Sequence, residues 1–332
     1  MIPRSPQARQ PAWQTALNDA IRDPQQLLQE LGLPPELLPG ARRAAARFGL
    51  RVPRGFLARM RRGDPADPLL RQVLPLDAEL EEVAGYGDDP LDECEGMAAP
   101  GVLHKYAGRV LLTVTGACAI HCRYCFRRHY PYASANPTRV LQHTIDYLQR
   151  RQDVSELILS GGDPLSLSDA RLRALVASVE AVPQLKRLRI HTRLPVVLPE
   201  RVDGELLAWL SASRLDVVMV IHCNHPAEID PDTGTALLEL QRAGVTLLNQ
   251  SVLLRGVNDR AETLAELSQI LFEYKVLPYY LHQLDRVRGA AHFEVPDGTA
   301  VGLLEDLRAR LPGYLVPRLV REQPGRASKT PL

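Results

Sequence analysis

The sequence predicts an α/β protein with a partial (β/α)6 barrel behind a mostly helical N-terminal region. Three observations predict it. From Arg109 onward, short apolar runs alternate with helix-like segments six times, the pattern of parallel strands joined by crossover helices. Each run ends on reactive or hydrogen-bonding residues, as strand carboxyl ends do in barrels that carry an active site. The first hundred residues, in contrast, hold many prolines and no strand alternation. A doubly wound sheet is the alternative reading.

Residues 1–100 form the N-terminal helical region. Its basic residues, Arg42, Arg43, Arg59, Arg61 and Arg62, read as a solvated helix face or a partner contact. Residues 101–290 form the barrel. The expected strands are 110–114, 157–160, 188–191, 217–222, 246–250 and 276–282, with helices at 138–151, 168–181, 200–213, 233–243 and 261–274. After the first run come the cysteines, after the second Gly161-Gly162-Asp163-Pro164, and after the third His191, Thr192 and Arg193. His222, Asn224 and His225 follow the fourth, Asn249 and Gln250 sit at the fifth, and His282, Gln283 and Asp285 close the sixth. Residues 291–332 form a C-terminal helix and loop.

With 40 basic and 39 acidic residues, the chain has no overall field to attract nucleic acid or a membrane surface. At 45% hydrophobic and 24% charged residues it reads as an ordinary globular protein. Met-Ile-Pro-Arg-Ser-Pro at the start lacks the apolar run of a signal peptide, and no stretch is long enough to span a bilayer. A cytoplasmic location is the expectation. Five cysteines, three of them between Cys118 and Cys125, are no disulfide framework.

Cys118-Ala-Ile-His-Cys122-Arg-Tyr-Cys125 is the strongest local signal, because three thiolates so close can surround one soft metal centre. On a four-iron cluster, three ligands leave one iron open to a substrate. A structural zinc with His121 or His129 as fourth ligand is the alternative, although such sites normally place a second ligand pair a dozen or more residues away. Cys94 and Cys223 stand in no ligand-like spacing.

C-x3-C-x2-C after the first strand of a β/α series resembles the radical S-adenosylmethionine superfamily. That resemblance implies a [4Fe-4S] cluster on Cys118, Cys122 and Cys125, with S-adenosylmethionine on the open iron. Gly161, Gly162 and Asp163 stand where the superfamily has its glycine-rich motif. Further along the chain stand His104-Lys105-Tyr106, Arg109, Cys125-Phe126-Arg127-Arg128, Ser160–Leu165, His222-Cys-Asn224-His225-Pro226, Asn249–Asp259 and Pro278-Tyr279-Tyr280. In that order they resemble the lysine 2,3-aminomutase family.

The family resemblance implies migration of an amino group from Cα to Cβ of free lysine, giving (R)-β-lysine. Pro324-Gly325-Arg326-Ala327-Ser328-Lys329-Thr330-Pro331 resembles the loop whose lysine carries pyridoxal 5'-phosphate. A primary amine is what that aldehyde needs. By the same resemblance Arg109 and Lys105 would hold the phosphate, Tyr106 would pack on the ring, and His222 and Gln250 would bind cofactor. Arg127 would fork onto the α-carboxylate, and Asp285 and Glu322 would receive the distal ammonium.

The chain stops at Leu332 without the cysteine-rich zinc-binding extension of the fermentative enzymes. With Leu50-Arg51-Val52-Pro53 and the Ser-Lys-Thr-Pro-Leu end, it is most similar to the branch that supplies β-lysine for elongation factor P. Implied partners are free lysine, an electron donor such as flavodoxin or ferredoxin, and functionally the β-lysine ligase of elongation factor P. The alternatives are an aminomutase serving β-lysine metabolism and a non-catalytic iron–sulfur sensor or electron carrier.

Overall fold

A computed structural model describes residues 11–132 and 137–332; the segment read for a signal peptide lies outside them. Ten strands form one sheet: β1 Met97–Ala99, β2 Val102–Tyr106, β3 Arg109–Thr115, β4 Glu156–Gly161, β5 Arg187–Thr192, β6 Asp216–His222, β7 Thr246–Val252, β8 Val276–His282, β9 Arg318–Arg321 and β10 Thr330–Pro331. Their spatial order follows the chain, so the sheet lacks the order reversal of a doubly wound fold. β3 to β9 pair in parallel. β1 and β2 add an antiparallel edge, and β10 runs antiparallel to β9. The sheet does not close, leaving β1 and β10 as its edges.

The six expected strands are present, and the outer helices fall where the periodicity placed them: Pro137–Gln149, Asp169–Glu180, Gly204–Ala212, Pro231–Arg242 and Ala261–Glu273. Local chemistry starts several of them. Asp203 and Asp230 cap their helices by accepting from Leu206 N and Thr233 N, and Pro231 opens its helix at N1. β4 is buried along its whole length, as a parallel strand covered on both faces must be. In β5 the two-residue period divides the side chains. Leu188 and Ile190 enter the hydrophobic core, while Arg189 and His191 border the interior cavity.

Two boundaries differ from the sequence reading. The helical region ends before the β1–β2 hairpin, and after the expected C-terminal helix, Asp297–Arg310, the loop is held by a hairpin in which Thr330 pairs with Arg321. Arg59 corrects the solvated-face reading. Its side chain is 8% exposed and reaches Asp230, Thr233 Oγ1 and the Glu228 carbonyl. Arg43 does lie at the surface, paired with Asp77.

Candidate active site

The inward side chains of β3 to β8 surround a cavity of about 520 Å³; the residues assigned to cluster, cofactors and substrate all border it, whereas Asn224, His225, Asn249 and Gln283, read from the strand ends as parts of the same site, do not. Its dimensions suit a small molecule and cofactors.

One end is built by the cysteine loop that follows β3. The glycine pair sets how closely this loop approaches β4. A Cβ on Gly161 would stand 2.4 Å from the Thr115 carbonyl oxygen, and one on Gly162 2.4 Å from that of Ala117. Gly161 also has φ +128°, which side chains resist. Gly162 N and Asp163 N then donate to Thr115 O and Ala117 O at 2.6 and 2.7 Å. The Asp163 carboxylate accepts from Leu165 N, Thr192 Oγ1 and Arg193 N, locking the ends of β4 and β5 together. Burial nevertheless pushes its pKa up to about 6.

The N-terminal region anchors the loop from behind. Arg123 is fully buried and forks onto Glu79 at 2.8 and 2.5 Å; Arg128 shares Glu79 at 2.6 Å. Arg123 N donates to Gln72 O, and Arg51 donates to Cys118 O. Burial and neighbouring acids and thiols push Cys118 up, and burial with Cys122 raises Cys125 to about 11. Among the described residues, no three His, Cys, Asp or Glu side chains are arranged to hold a single metal ion. His121 is engaged by Gly49 O and stacks on Phe48, and His129 faces Arg288 O. Both histidines considered as a fourth zinc ligand are thus engaged elsewhere. Cys223 is buried with its thiol on His225 O, and Cys94 sits beside Asp89; neither borders the cavity.

His222 and Gln250 are register partners on β6 and β7 and both border the middle of the cavity. Burial, then Arg193, holds His222 at about 3, so the ring is neutral. Tyr124 Oη accepts from Arg193 and Asn224 Nδ2, and its own proton has two acceptors in reach, His222 Nε2 at 2.7 Å and Gln72 Oε1 at 3.3 Å.

At the other end, ion pairs form a chain. Lys329 pairs with Glu322, and Lys105 reaches Glu322 and Glu93 at 3.3 Å each. Glu93 closes onto Arg127 through Nε at 2.6 Å and Nη2 at 3.0 Å. The Arg127 fork expected for a substrate carboxylate is thus filled by the protein's own Glu93. Nη1 donates to Ser160 Oγ at 2.9 Å. The Arg109 guanidinium lies 4.6 Å from the Tyr106 ring centre, covering the ring expected to meet a cofactor. Burial opposes ionisation of Glu322, but Lys329 and Lys105 hold it at about 2. The same two lysines pull Asp285 down as well, but they do not outweigh its burial. Among the described residues no hydrogen-bond donor reaches its carboxylate, and burial, then Glu322, raises it to about 7.

The residues at this end fit pyridoxal phosphate. Lys329 supplies the amine, Lys105, Arg109 and Arg189 supply positive charge for a phosphate, and buried His191 Nε2 has no partner among the described residues. Glu93, Glu79, Gln72 and Glu228 escaped the sequence reading. The available signal was Arg123, Arg127 and Arg128 themselves, since arginines packed around a cysteine loop need buried acids.

A partial barrel with three cysteines at its first strand end and a glycine pair at its second belongs to the radical S-adenosylmethionine enzymes, and the Radical SAM superfamily model matches residues 112–220. Three relatives called L-lysine 2,3-aminomutase align along nearly the whole chain. That of Escherichia coli K12 is 50% identical over 96% of this chain and 94% of its own length. That of Haemophilus influenzae is 46% identical over 99% and 98%, and that of Buchnera aphidicola 43% identical over 96% and 94%. The chain belongs to the L-lysine 2,3-aminomutase family and is an isomerase. Membership of the radical S-adenosylmethionine superfamily brings a [4Fe-4S] cluster and S-adenosylmethionine as cofactors.

Proposed function

We propose that this enzyme converts free (S)-α-lysine to (R)-β-lysine and that its product serves the modification of elongation factor P. One observation carries the reaction: a single cavity holds the cysteine triplet at one end and Lys329 beside unpartnered Asp285 at the other. The cofactors supply a radical that removes a substrate hydrogen and a carbonyl group that carries the migrating nitrogen. In this reading Cys118, Cys122 and Cys125 hold the cluster, and Gly161, Gly162, Asp163, His222 and Gln250 line the S-adenosylmethionine side. Lys329 carries pyridoxal phosphate, with Lys105 and Arg109 near its phosphate and Tyr106 near its ring.

The protein's own groups then select lysine. Arg127 receives the α-carboxylate by exchanging one carboxylate, Glu93, for another, so its buried charge never stands alone. An incoming ammonium meets Asp285 and Glu322, and its charge favours the ionised form of Asp285. The need for a carboxylate at Arg127 favours the free amino acid over a lysine already attached to a protein. A separate ligase would then attach the product, and flavodoxin or ferredoxin would supply the electron.

An anaerobic assay with dithionite and S-adenosylmethionine, offering free (S)-lysine and α-lysylated elongation factor P in parallel, tests this. Hydrolysed products are separated on a chiral column. (R)-β-lysine from the free amino acid is expected. Conversion of the protein-bound residue alone would overturn both the order of steps and the part given to Arg127.

A further inference from the structure

Arg193, one residue past β5, is 5% exposed and takes no part in the binding of lysine described above. Its Nη1 stands 2.8 Å from Cys122 Sγ and 2.8 Å from Tyr124 Oη. Nη2 donates to Gln72 Oε1 at 2.7 Å and Glu228 Oε2 at 2.9 Å. The rings of Phe56 and Tyr124 flank the guanidinium at 5.5 and 5.9 Å. Its backbone N–H is tied to Asp163 at 2.7 Å.

Glu228 is fully buried. Its second oxygen accepts from Gln72 Nε2, Asn224 N and His225 N. Burial opposes its charge, and Arg193 and these donors keep it ionised. Neither group can turn away. A buried ion pair of this kind is a poor source of stability compared with an apolar core. Its geometry gives it another use: a fixed cation donates to a thiolate, and a fixed anion stands behind that cation.

We propose that the Arg193–Glu228 pair sets the reduction potential of the iron–sulfur cluster through the hydrogen bond to Cys122. The inference rests on Cys122 being a cluster ligand. Reduction adds one electron, from an external donor, to the cluster and its sulfurs. A cationic donor at one sulfur favours the reduced form, and hydrogen bonds to the sulfurs are an established determinant of such potentials. Glu228 moderates that bias. Arg193 is thus a positioning and tuning residue for electron entry.

The test is an EPR-monitored redox titration of the reconstituted full-length enzyme, without S-adenosylmethionine, for wild type, Arg193→Gln, Arg193→Lys, Glu228→Gln and Cys122→Ala. Iron and sulfide are counted in each. At a fixed potential, Arg193→Gln is expected to lower the ratio of reduced to oxidised cluster about tenfold, equal to 59 mV for one electron. Glu228→Gln shifts the ratio the opposite way, and Arg193→Lys falls between wild type and Arg193→Gln. A general loosening of the site moves both neutral variants in one direction, and that result overturns the proposal. So does an unchanged potential in variants with full iron content. If Arg193→Gln holds no cluster, the upward shift in Glu228→Gln and the downward shift in Arg193→Lys decide it. A Cys122→Ala protein that keeps a complete four-iron cluster overturns the inference at the ligand assignment instead.

Discussion

At the cysteine end of the cavity every charge has a fixed partner, whereas at the lysine end charges are passed along a chain. Arg123 and Arg128 share Glu79, and Arg193 is held by Glu228 and Gln72. Backbone atoms of the N-terminal region complete that end. The lysine end strings side chains from Arg127 to Glu93, Lys105, Glu322 and Lys329, with Asp285 beside it. A cofactor that stays in place calls for a saturated frame. A substrate that comes and goes calls for partners that can be exchanged without stranding a buried charge.

The sharpest break in this comparison is Lys329→Ala. It should reduce turnover to background and abolish the pyridoxal absorbance, while iron and sulfide content stay at wild-type level. Loss of iron together with the absorbance would show that the two ends are not separate structures. Glu93→Gln comes next. It leaves Arg127 buried without its counter-charge, a loss of about 3 kcal/mol. The melting temperature should fall, and saturating lysine should recover more of it than lysine adds to wild type, because the substrate carboxylate supplies the missing anion. Equal lysine-induced shifts in the two proteins would count against exchange at Arg127.

Smaller effects are expected at the ammonium pocket. Asp285→Asn removes a charge-assisted contact worth roughly 1.5–3 kcal/mol, so kcat/KM for lysine should drop about tenfold to a hundredfold. The pH profile sharpens this. Asp285, facing Glu322, Lys329, Glu93 and Lys105, titrates near 7. Below that pH it is neutral and offers no charge to an ammonium, so kcat/KM should rise with pH through about 7 and flatten above. Asp285→Asn should lack that limb; an identical limb in the variant assigns it to another group. The smallest effect belongs to the Arg43–Asp77 pair, whose side chains are 58% and 54% exposed. Its removal should change stability by less than about 1 kcal/mol, as read by denaturant midpoint.

The barrel was legible because its strands are apolar runs of parallel type set between helices. β1, β2, β9 and β10 were not legible for the same reason. β1 is three mostly exposed residues, β2 has five whose burial does not alternate, β9 is four residues long, and β10 ends on a proline, so none shows a two-residue period. The motif residues assigned to cluster, cofactors and substrate were readable and meet in the cavity, while Asn224 and Asn249 of the same motifs brace the strand ends through buried hydrogen bonds. Glu93, within Asp92-Glu93-Cys94-Glu95-Gly96, looks like a solvated acidic stretch, and Gln72 is one polar residue after a short helix. Only tertiary packing reveals that each answers an arginine far along the chain.

The wall behind the cysteines has a consequence for handling the enzyme in air. Gln72, Arg123 and Glu228 are fully buried, and Phe48 lies 4.8 and 4.7 Å from the Arg123 and Arg128 guanidinium centres. Cys118, Cys122 and Cys125 border the cavity itself, so dioxygen that enters where lysine enters meets the cluster ligands directly. A filled cavity should therefore act as a stopper, and the half-life of the brown chromophore after exposure to oxygen should lengthen when S-adenosylmethionine and lysine are both bound.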